Sequence, residues 1–499
     1  MRAPTQARAI VIGAGFGGIA AAIRLAARGY QVTIVDRLEG PGGRAFVYKK
    51  EGYTFDAGPT IITVPSLLEE LWTLCGKKMS DFVTLKSIDP FYQIRFDDAS
   101  VFTYKSNPAE MRAEVARFCE ADVKGLDRFM AHADQACKSG FEDLATVPFT
   151  HFSTMLKALP KLSLLGCWNS VHTQAAKCFT DPRLRAVFSF HPLLVGGNPF
   201  SVTAVYTLIN ALERRWGVHF AMGGTGAVVK GLVDLFEGQG GTLRLNTEVK
   251  RILVENGQAV GVELPDGELL HSDIVVSNAD AAWTYRMMLL PEARKKWNNS
   301  RLNRMDASMG LFVWYFGTNK RYEEVAHHTM VLGPRYKELL KDIFKRKKLA
   351  KDCSLYLHRP TATDPSMAPE GCDAYYVLSP VPHLGSATDW ATEAEPYRQM
   401  VQRRLEDTVL PQLGAHLTTS HFIHPGDFAS RYLSWQGAGF GMEPLLTQSA
   451  WFRPHNVSED VKNLYLVGAG THPGAGVPGV LCSAKILDEV VPAAHVFIR

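Results

Sequence analysis

Residues 8–36 decide the fold of this chain and read RAIVIGAGFGGIAAAIRLAARGYQVTIVD. They contain a β-branched run at 10–12, a glycine-rich turn, an alanine-rich helical pattern to about Arg28 and a second β-branched run at 32–35. A strand, a turn, a helix and a strand in this order form a βαβ unit. The sequence therefore predicts an α/β protein whose parallel sheet begins near residue 8.

The turn inside this unit has the spacing G-x-G-x-x-G. Its glycines are Gly13, Gly15, Gly17 and Gly18. Glycine lets the backbone turn tightly and approach a pyrophosphate, which binds at the N-terminus of the following helix. Asp36 ends the second strand, where an acid accepts hydrogen bonds from a ribose, and Arg37 follows it in the candidate site. NAD and FAD proteins share this fingerprint, so the unit alone leaves the dinucleotide open.

A second glycine pair, followed by Arg44, comes directly after the βαβ unit. Arg44 is placed to pair with a second phosphate or to lie near a flavin, although it also fits a solvated loop charge. The segment Asp56–Thr60 follows at short distance. The candidate cofactor contacts in this region are Gly43, Arg44, Gly58, Pro59 and Thr60.

The turn at 468–479, GAGTHPGAGVPG, has five glycines in twelve residues. A loop with so few side chains indicates a flat ring lying against the main chain, and the next helix would direct its N-terminus at the negative charge of a reduced flavin. A ligand that contacts both ends of the chain is an extended one, which favours FAD. A loop that only closes the sheet is the alternative. The candidate contacts here are Gly468, Gly470, Thr471, Gly476 and Val477.

The composition is that of a globular protein, with 499 residues, 46% of them apolar, and a formal net charge of +4. This balance argues against a nucleic-acid partner. The eight cysteines lack a CxxC pair, which indicates reduced thiols and a cytoplasmic protein. Any membrane contact is expected to be peripheral, because the apolar runs are too short to span a bilayer.

The order of the patterns predicts two interleaved domains. A second glycine turn at 223 opens a helix that leads to further short strands, and a last strand precedes the C-terminal turn. The region from about 66 to 220 is mainly helical in pattern, whereas a strand-rich region begins near Leu311. We predict a discontinuous FAD-binding domain from 1–66, 220–300 and 460–499, and a substrate-binding and membrane-associating domain from 67–219 and 301–459.

Several longer stretches of this sequence resemble the bacterial phytoene desaturase family, within the FAD-dependent amine-oxidase-like superfamily. They are VIGAGFGG (11–18), PGGRA (41–45), FDAGPT (55–60), LLVGGNPF (193–200), GGTGA (223–227), EPLLTQSAWFRPHN (443–456) and NLYLVGAGTHPGAGVPGV (463–480). The resemblance implies a Rossmann-type FAD-binding domain with an inserted α+β substrate domain and a helical membrane-facing region. It also implies FAD as the cofactor and Val249 as the residue whose backbone meets the adenine.

The same resemblance implies a C40 carotenoid substrate, phytoene, that is desaturated stepwise to neurosporene or lycopene. The expected partners are membrane lipid at the inner face of the cell membrane and quinone or oxygen as the electron acceptor. The sequence departs from the family pattern at two places: Asp36 stands where Glu is frequent, and Thr471 and His472 stand where many members have an acid. The alternatives are a non-enzymatic prenyl or lipid carrier of the escort-protein type and a soluble FAD-dependent amine or porphyrinogen oxidase.

Desaturation needs a hydride acceptor, an oriented substrate and a dry site, and it can use a base. The candidate catalytic acids are Glu213 and Asp427, which have apolar or aromatic neighbours and equally fit a structural role. The histidines lack metal-ligand spacing. We therefore expect no metal site and interpret His327 and His328 as ordinary core or surface residues.

A polyene substrate requires an apolar tunnel and a membrane contact. The candidate linings are 188–200, 311–316 and 451–452, which also fit an ordinary core. KELLKDIFKRKKL at 337–349 has an apolar and a basic face and is the first candidate for an interfacial helix, although its apolar face could equally pack on the core. The segment 151–177 is the second candidate.

Overall fold

A five-stranded parallel sheet lies at the centre of the nucleotide-binding part of the fold. In this computed structural model, which describes residues 6–498, its strands come from widely separated stretches of the chain. The residues 1–5 and 499 of the predicted domain lie outside this description. The order across the sheet is Leu464–Leu466, Ile274–Ser277, Arg8–Ile12, Gln31–Val35 and Thr242–Arg244.

The predicted βαβ unit is confirmed. The strands Arg8–Ile12 and Gln31–Val35 pair in parallel, and the helix Phe16–Ala27 connects them. The residues of this helix from Ile19 to Ile23 are fully buried. Their small side chains let the helices Thr225–Glu237 and Val477–Lys485 pack closely against it. The three glycine-turn regions of the sequence thus share one layer of the fold.

A seven-stranded sheet forms the second part of the fold. Its order is Leu417–Ile423, Gly310–Thr318, Asp373–Val381, Leu355–His358, His328–Val331, Tyr92–Arg95 and Val101–Tyr104. All neighbours are antiparallel except His328–Val331 and Tyr92–Arg95. The strand-rich region expected from Leu311 is confirmed.

The prediction of a mainly helical region from about 66 to 220 needs one correction, because four strands begin within it. Two of them, Tyr92–Arg95 and Val101–Tyr104, complete the seven-stranded sheet. Every second side chain along each of these strands is an aromatic or aliphatic one that is buried. Leu85–Ile88 pairs with Val218–Ala221 in a separate two-stranded sheet. A strand of four residues shows too few alternating apolar and polar positions to be recognised between segments with helical periodicity.

The other elements surround these two sheets. The remaining strands are Val47–Lys50, Tyr53–Asp56, Arg251–Glu255, Gln258–Glu263 and Leu269–His271. The remaining α-helices are Ser66–Leu74, Pro108–Phe118, Val123–Cys137, Phe152–Leu164, Val171–Cys178, Pro182–Val187, Leu208–Trp216, Ala281–Trp283, Asn299–Asn303, Tyr336–Lys341, Trp390–Thr408, Leu413–His416, Pro425–Tyr432 and Leu487–Val490. None of the helices within residues 6–498 is both long enough and apolar enough to cross a bilayer.

The two candidate membrane segments differ in what they expose. In the first, 337–349, the side chains of Leu339, Leu340 and Ile343 are at most 1% exposed, so its apolar face packs on the core. In the second, helix Phe152–Leu164 and the turn after it, several large apolar side chains are exposed. They are Phe152 (48%), Leu156 (54%), Leu164 (90%) and Trp168 (69%). The first segment therefore buries its apolar face, whereas the second exposes large apolar side chains.

Candidate active site

One continuous cavity of about 560 Å³ runs from the glycine turn of the parallel sheet to the seven-stranded sheet. The beginning and the end of the chain meet in its wall. The predicted residues that line it are Gly13, Gly15, Gly17, Asp36, Arg37, Gly43, Arg44, Gly58, Pro59, Thr60, Val249, Gly468, Gly476 and Val477. These residues are far apart in sequence, and the parallel sheet brings them together.

The first glycine turn forms part of the cavity wall and is fixed by contacts with the protein behind it. Gly13 has a φ of +95°, and its N–H donates to the carbonyl of Val35 at 2.8 Å. Gly18 does not line the cavity, because it packs on the turn itself. A Cβ atom at Gly18 would lie 1.9 Å from the carbonyl oxygen of Gly13. The last glycine of the motif therefore permits close contact between helix and strand, whereas the others face the cavity.

Asp36 connects the two strands of the βαβ unit at the cavity edge. Its Oδ2 accepts a hydrogen bond of 2.6 Å from the N–H of Ala14, and its Oδ1 accepts one of 2.8 Å from the N–H of Leu38. Burial raises the pKa of Asp36, and these two hydrogen bonds oppose the shift. The carboxylate retains further lone pairs for a ribose on its cavity side.

Arg44 is a half-buried cation beside the glycine turn. Its Nη2 donates to Ser434 Oγ, and its Nε has no hydrogen-bond partner in the described chain. Burial lowers the pKa of this guanidinium, and the carboxylate of Asp280 opposes that shift. A guanidinium with a buried and unused N–H fits an anionic ligand, as the pyrophosphate of a dinucleotide would be.

Asn278 and Asp280 are cavity residues that the sequence analysis missed. They follow strand Ile274–Ser277, which lies next to Arg8–Ile12 in the sheet. Asn278 Nδ2 donates to the carbonyl of Gly13 at 3.4 Å, and burial raises the pKa of Asp280. The signal was available, because polar residues at the carboxyl ends of parallel strands gather at one edge of the sheet.

The C-terminal turn divides between the cavity and the core. Gly476 and Val477 line the cavity, where helix Val477–Lys485 begins. Gly470 and Thr471 do not line it. A Cβ atom at Gly470 would lie 2.8 Å from Cβ of Ala281, and the buried Thr471 hydroxyl donates to the carbonyl of Pro454 at 2.6 Å. These two residues shape the turn from behind.

The other end of the cavity is apolar. Two of the three predicted linings contribute to it: 188–200 through Phe190, Leu193, Leu194 and Val195, and 311–316 through Leu311 and Val313. The Trp451 and Phe452 side chains do not line it. Further apolar residues that the sequence analysis did not single out are Met155, Leu162, Met309, Met330, Leu332 and Leu378.

The two candidate catalytic acids occupy different places. Glu213 lines the cavity and is 1% exposed, and its carboxylate accepts hydrogen bonds from the Tyr92 hydroxyl at 2.5 Å and from His191 Nε2 at 3.1 Å. Asp427 lies outside the cavity wall with its side chain 42% exposed. It caps helix Pro425–Tyr432 by accepting the N–H of His424 at 2.8 Å.

The described residues match the flavin containing amine oxidoreductase family from 16 to 486. A phytoene desaturase (neurosporene-forming) of Cereibacter sphaeroides is 49% identical over 492 residues, which cover 98% of this chain and 95% of that protein. The chain belongs to the phytoene desaturase family. A phytoene desaturase (lycopene-forming) of a Paracoccus species is 49% identical over 489 residues, covering 98% of both chains.

The family membership confirms the predicted kind of enzyme, a flavin-dependent oxidoreductase. The fold is confirmed separately by solved structures. An oxidoreductase from Methanosarcina mazei superposes with a TM-score of 0.67 at 17% identity, over 97% of this chain and 100% of that one. At this identity the likeness concerns the fold alone.

Proposed function

We propose that this chain is an FAD-dependent phytoene desaturase that converts phytoene by successive desaturations to neurosporene or lycopene. The observation that carries the proposal is the single cavity whose wall changes from glycine turns and Arg44 at one end to aliphatic and aromatic side chains at the other. A dinucleotide fits the first half, and a polyene fits the second.

The nucleotide half has the chemistry that FAD requires. Asp36 offers acceptors to a ribose, residues 15–17 of the turn offer backbone N–H groups, and Arg44 offers an unused N–H to the pyrophosphate. Helix Val477–Lys485 begins at the cavity, and the positive end of its dipole would stabilise negative charge on a bound flavin. FAD, when bound, supplies the two-electron acceptor for the hydride that desaturation removes.

The apolar half orients the substrate and excludes water. The side chains of Leu193, Leu311, Val313 and Met330 form part of its wall. A polyene has no polar group for the protein to hold, so its position follows from the shape of this wall. Exclusion of water prevents hydration of a carbon that has lost a hydride.

The segment from Phe152 to Trp168 is proposed as the membrane contact. Met155 and Leu162 of its helix line the cavity, whereas Leu164 and Trp168 are exposed. The same helix thus touches the cavity on one face and solvent on the other. An exposed apolar patch of this kind marks a lipid or protein surface, and the substrate's solubility in lipid favours lipid. We place the protein in the cytoplasm, at the inner face of the cell membrane, with quinone or oxygen reoxidising the flavin.

The test is anaerobic incubation of the purified protein, FAD and phytoene in liposomes, followed by absorbance spectroscopy and pigment chromatography. The proposal expects bleaching of the flavin and new pigments with longer conjugation. No new pigment, together with an oxidised flavin and an active related desaturase in parallel, would contradict it. A protein that stays colourless after FAD addition would favour the lipid carrier. Flavin reduction by a soluble amine or porphyrinogen would favour an oxidase.

A further inference from the structure

Three buried histidines form a cluster directly behind the wall of the cavity. His327 is 6% exposed, His328 is fully buried and His358 is 1% exposed. One ring nitrogen from each lies within 4.8 Å of those from the other two. His328 and His358 face each other across neighbouring strands of the seven-stranded sheet, so the long-range pairing of the sheet creates the cluster.

Most of the imidazole nitrogens in this cluster have no protein partner in the described chain. They are Nε2 of His327, Nε2 of His328 and both ring nitrogens of His358. Buried polar atoms are nearly always hydrogen-bonded, to protein or to ordered water. Atoms 4.8 Å apart are within reach of one bridging water, which can make three hydrogen bonds at such a site.

A chain of hydrogen bonds connects this cluster with the cavity. Thr60 and Tyr356 line the cavity, and Thr60 Oγ1 lies 2.9 Å from the Tyr356 hydroxyl. The same hydroxyl lies 2.8 Å from Nδ1 of His328. Tyr356 therefore has one hydrogen-bond neighbour at the cavity wall and one in the histidine cluster.

A second link leads from the cluster towards solvent. Nδ1 of His327 lies 2.7 Å from Oγ1 of Thr363, which is partly exposed. A water at the centre of the cluster would complete a series of groups from the cavity to the surface, which are Thr60, Tyr356, His328, this water with His358, His327 and Thr363. Every group in this series can both accept and donate a proton.

Desaturation creates the need for such a path. Forming one double bond removes a hydride from one carbon and a proton from its neighbour, and the two electrons of the second C–H bond become the new π bond. The carbon skeleton that has lost a hydride is a strong acid, so a hydroxyl oxygen is a sufficient first acceptor. The proton must then leave a chamber with a largely apolar wall.

We propose that Tyr356 and the His327–His328–His358 cluster conduct the proton of each desaturation step from the cavity to the surface at Thr363. The substrate proton bonds to the Tyr356 oxygen while the proton of Tyr356 passes to Nδ1 of His328. His328 releases its Nε2 proton to the central water, His327 accepts one at Nε2, and Nδ1 of His327 releases one through Thr363 to solvent. One proton enters, one leaves, and no oxidant is consumed. The inference rests on the proposed desaturase function.

The electrostatics of the cluster suit conduction. Burial lowers the pKa of His327 to about 3 and holds the pKa values of His328 and His358 well below their ordinary value. The rings are therefore neutral, with a lone pair ready, and they do not retain a proton. A divalent cation is the competing occupant, because three neutral imidazoles can bind zinc, but the positive charge of the Arg359 guanidinium acts on His327 and disfavours a cation there.

The test compares single-turnover rates of pigment formation from phytoene in liposomes, after wild-type activity has been established. We expect Tyr356→Phe and His328→Leu to lower the rate by about 10²-fold, with the KM for phytoene and the FAD content unchanged. His327 is 6% exposed and does not line the cavity, and His327→Leu is expected to give a similar loss of rate. Tyr397→Phe is the matched control, because its buried hydroxyl bonds Ser379 in a separate core.

Each outcome decides the proposal. Wild-type rates in Tyr356→Phe or His328→Leu would overturn it, and a wild-type rate in His327→Leu would overturn the exit at Thr363. A loss confined to Glu213→Gln would assign the proton to that carboxylate instead. One equivalent of a divalent metal in the purified protein, absent from His328→Leu, would replace the water path by a metal site. An inactive wild-type protein would contradict the proposed function and not the path.

Discussion

The carboxylate of Asp36 accepts a hydrogen bond from the N–H of Ala14 at 2.6 Å, across 22 residues of sequence. The acid at the end of one strand therefore holds the glycine turn that follows its neighbour. The turn is shaped by a protein contact, so a dinucleotide meets a cradle that is already ordered. Preorganisation of this kind reduces the entropic cost of binding.

Asp36→Ala is expected to weaken FAD binding by about 10- to 100-fold, because it removes charge-assisted hydrogen bonds to the turn and to the ribose. Fluorescence titration of the apoprotein with FAD measures this. Asp273→Ala is the control, since Asp273 Oδ2 accepts the N–H of Arg8 at 2.7 Å at the other end of the same strand. Equal affinities of the two variants would contradict the role of Asp36.

Gly18→Ala is expected to lower the free energy of unfolding by roughly 3 kcal/mol or more, since its Cβ would lie 1.9 Å from the Gly13 carbonyl oxygen and the turn must shift. Denaturant unfolding of the apoprotein checks this. Gly240→Ala is the comparison, because its Cβ meets no atom within 4 Å and only the φ of +83° is strained, at about 1 kcal/mol. If Gly18→Ala lowered the free energy of unfolding less than Gly240→Ala, the close packing at Gly18 would be contradicted.

The double substitution Leu164→Ser and Trp168→Ser is expected to reduce binding to liposomes by at least about tenfold, since two exposed apolar side chains each contribute roughly 1.5–3 kcal/mol when they leave water. Co-sedimentation with liposomes is the measurement. Leu269→Ser, at an apolar residue that is 50% exposed on another surface, should leave binding unchanged. If Leu269→Ser reduced binding as strongly, the lipid surface would lie elsewhere.

Glu443 makes stability depend on pH. Burial raises the pKa of Glu443 from 4.5 to about 7, so the folded protein holds this proton more tightly than the unfolded chain. The stabilisation is complete below pH 4.5 and is lost as the pH rises through about 7, a loss of about 3 kcal/mol. Glu443→Gln should flatten the fall of unfolding free energy from pH 5 to pH 8.

Asp56 also makes the free energy of unfolding fall as the pH rises, because burial raises its pKa to about 7 as well. The Glu443→Gln variant should therefore keep part of the pH dependence, and a second substitution, Asp56→Asn, should remove more of it. Unfolding in denaturant at a series of pH values measures both. Parallel curves for the wild type and Glu443→Gln would show that Glu443 titrates normally in the folded protein.

Local chemistry made the nucleotide half of the site predictable. Glycines at 13–18, β-branched strands on either side and an acid at Asp36 lie within 29 residues, and each has a meaning that needs no distant contact. The C-terminal turn was predictable for the same reason. Within these motifs, only the structure separates Gly15, which faces the cavity, from Gly18 and Gly470, which pack behind it.

Amphipathic patterns were less informative, because a pattern says which side chains prefer burial and not what buries them. The segments 337–349 and 151–177 were the first and second candidates for a membrane contact. The first packs Leu339 on the core, whereas the second leaves Leu164 90% exposed. The ranking of the two as membrane contacts therefore depended on the neighbours that each one meets in the folded chain.

The order of residues along the chain determined by itself that a parallel sheet with a dinucleotide turn would form, since strand, turn and helix preferences act over a few neighbours. Tertiary structure alone decided which polar groups meet: Asp280 beside Arg44, and His358 beside His327 and His328. These pairs are separated by up to hundreds of residues, and their approach depends on the register of strands whose pairing no local pattern encodes.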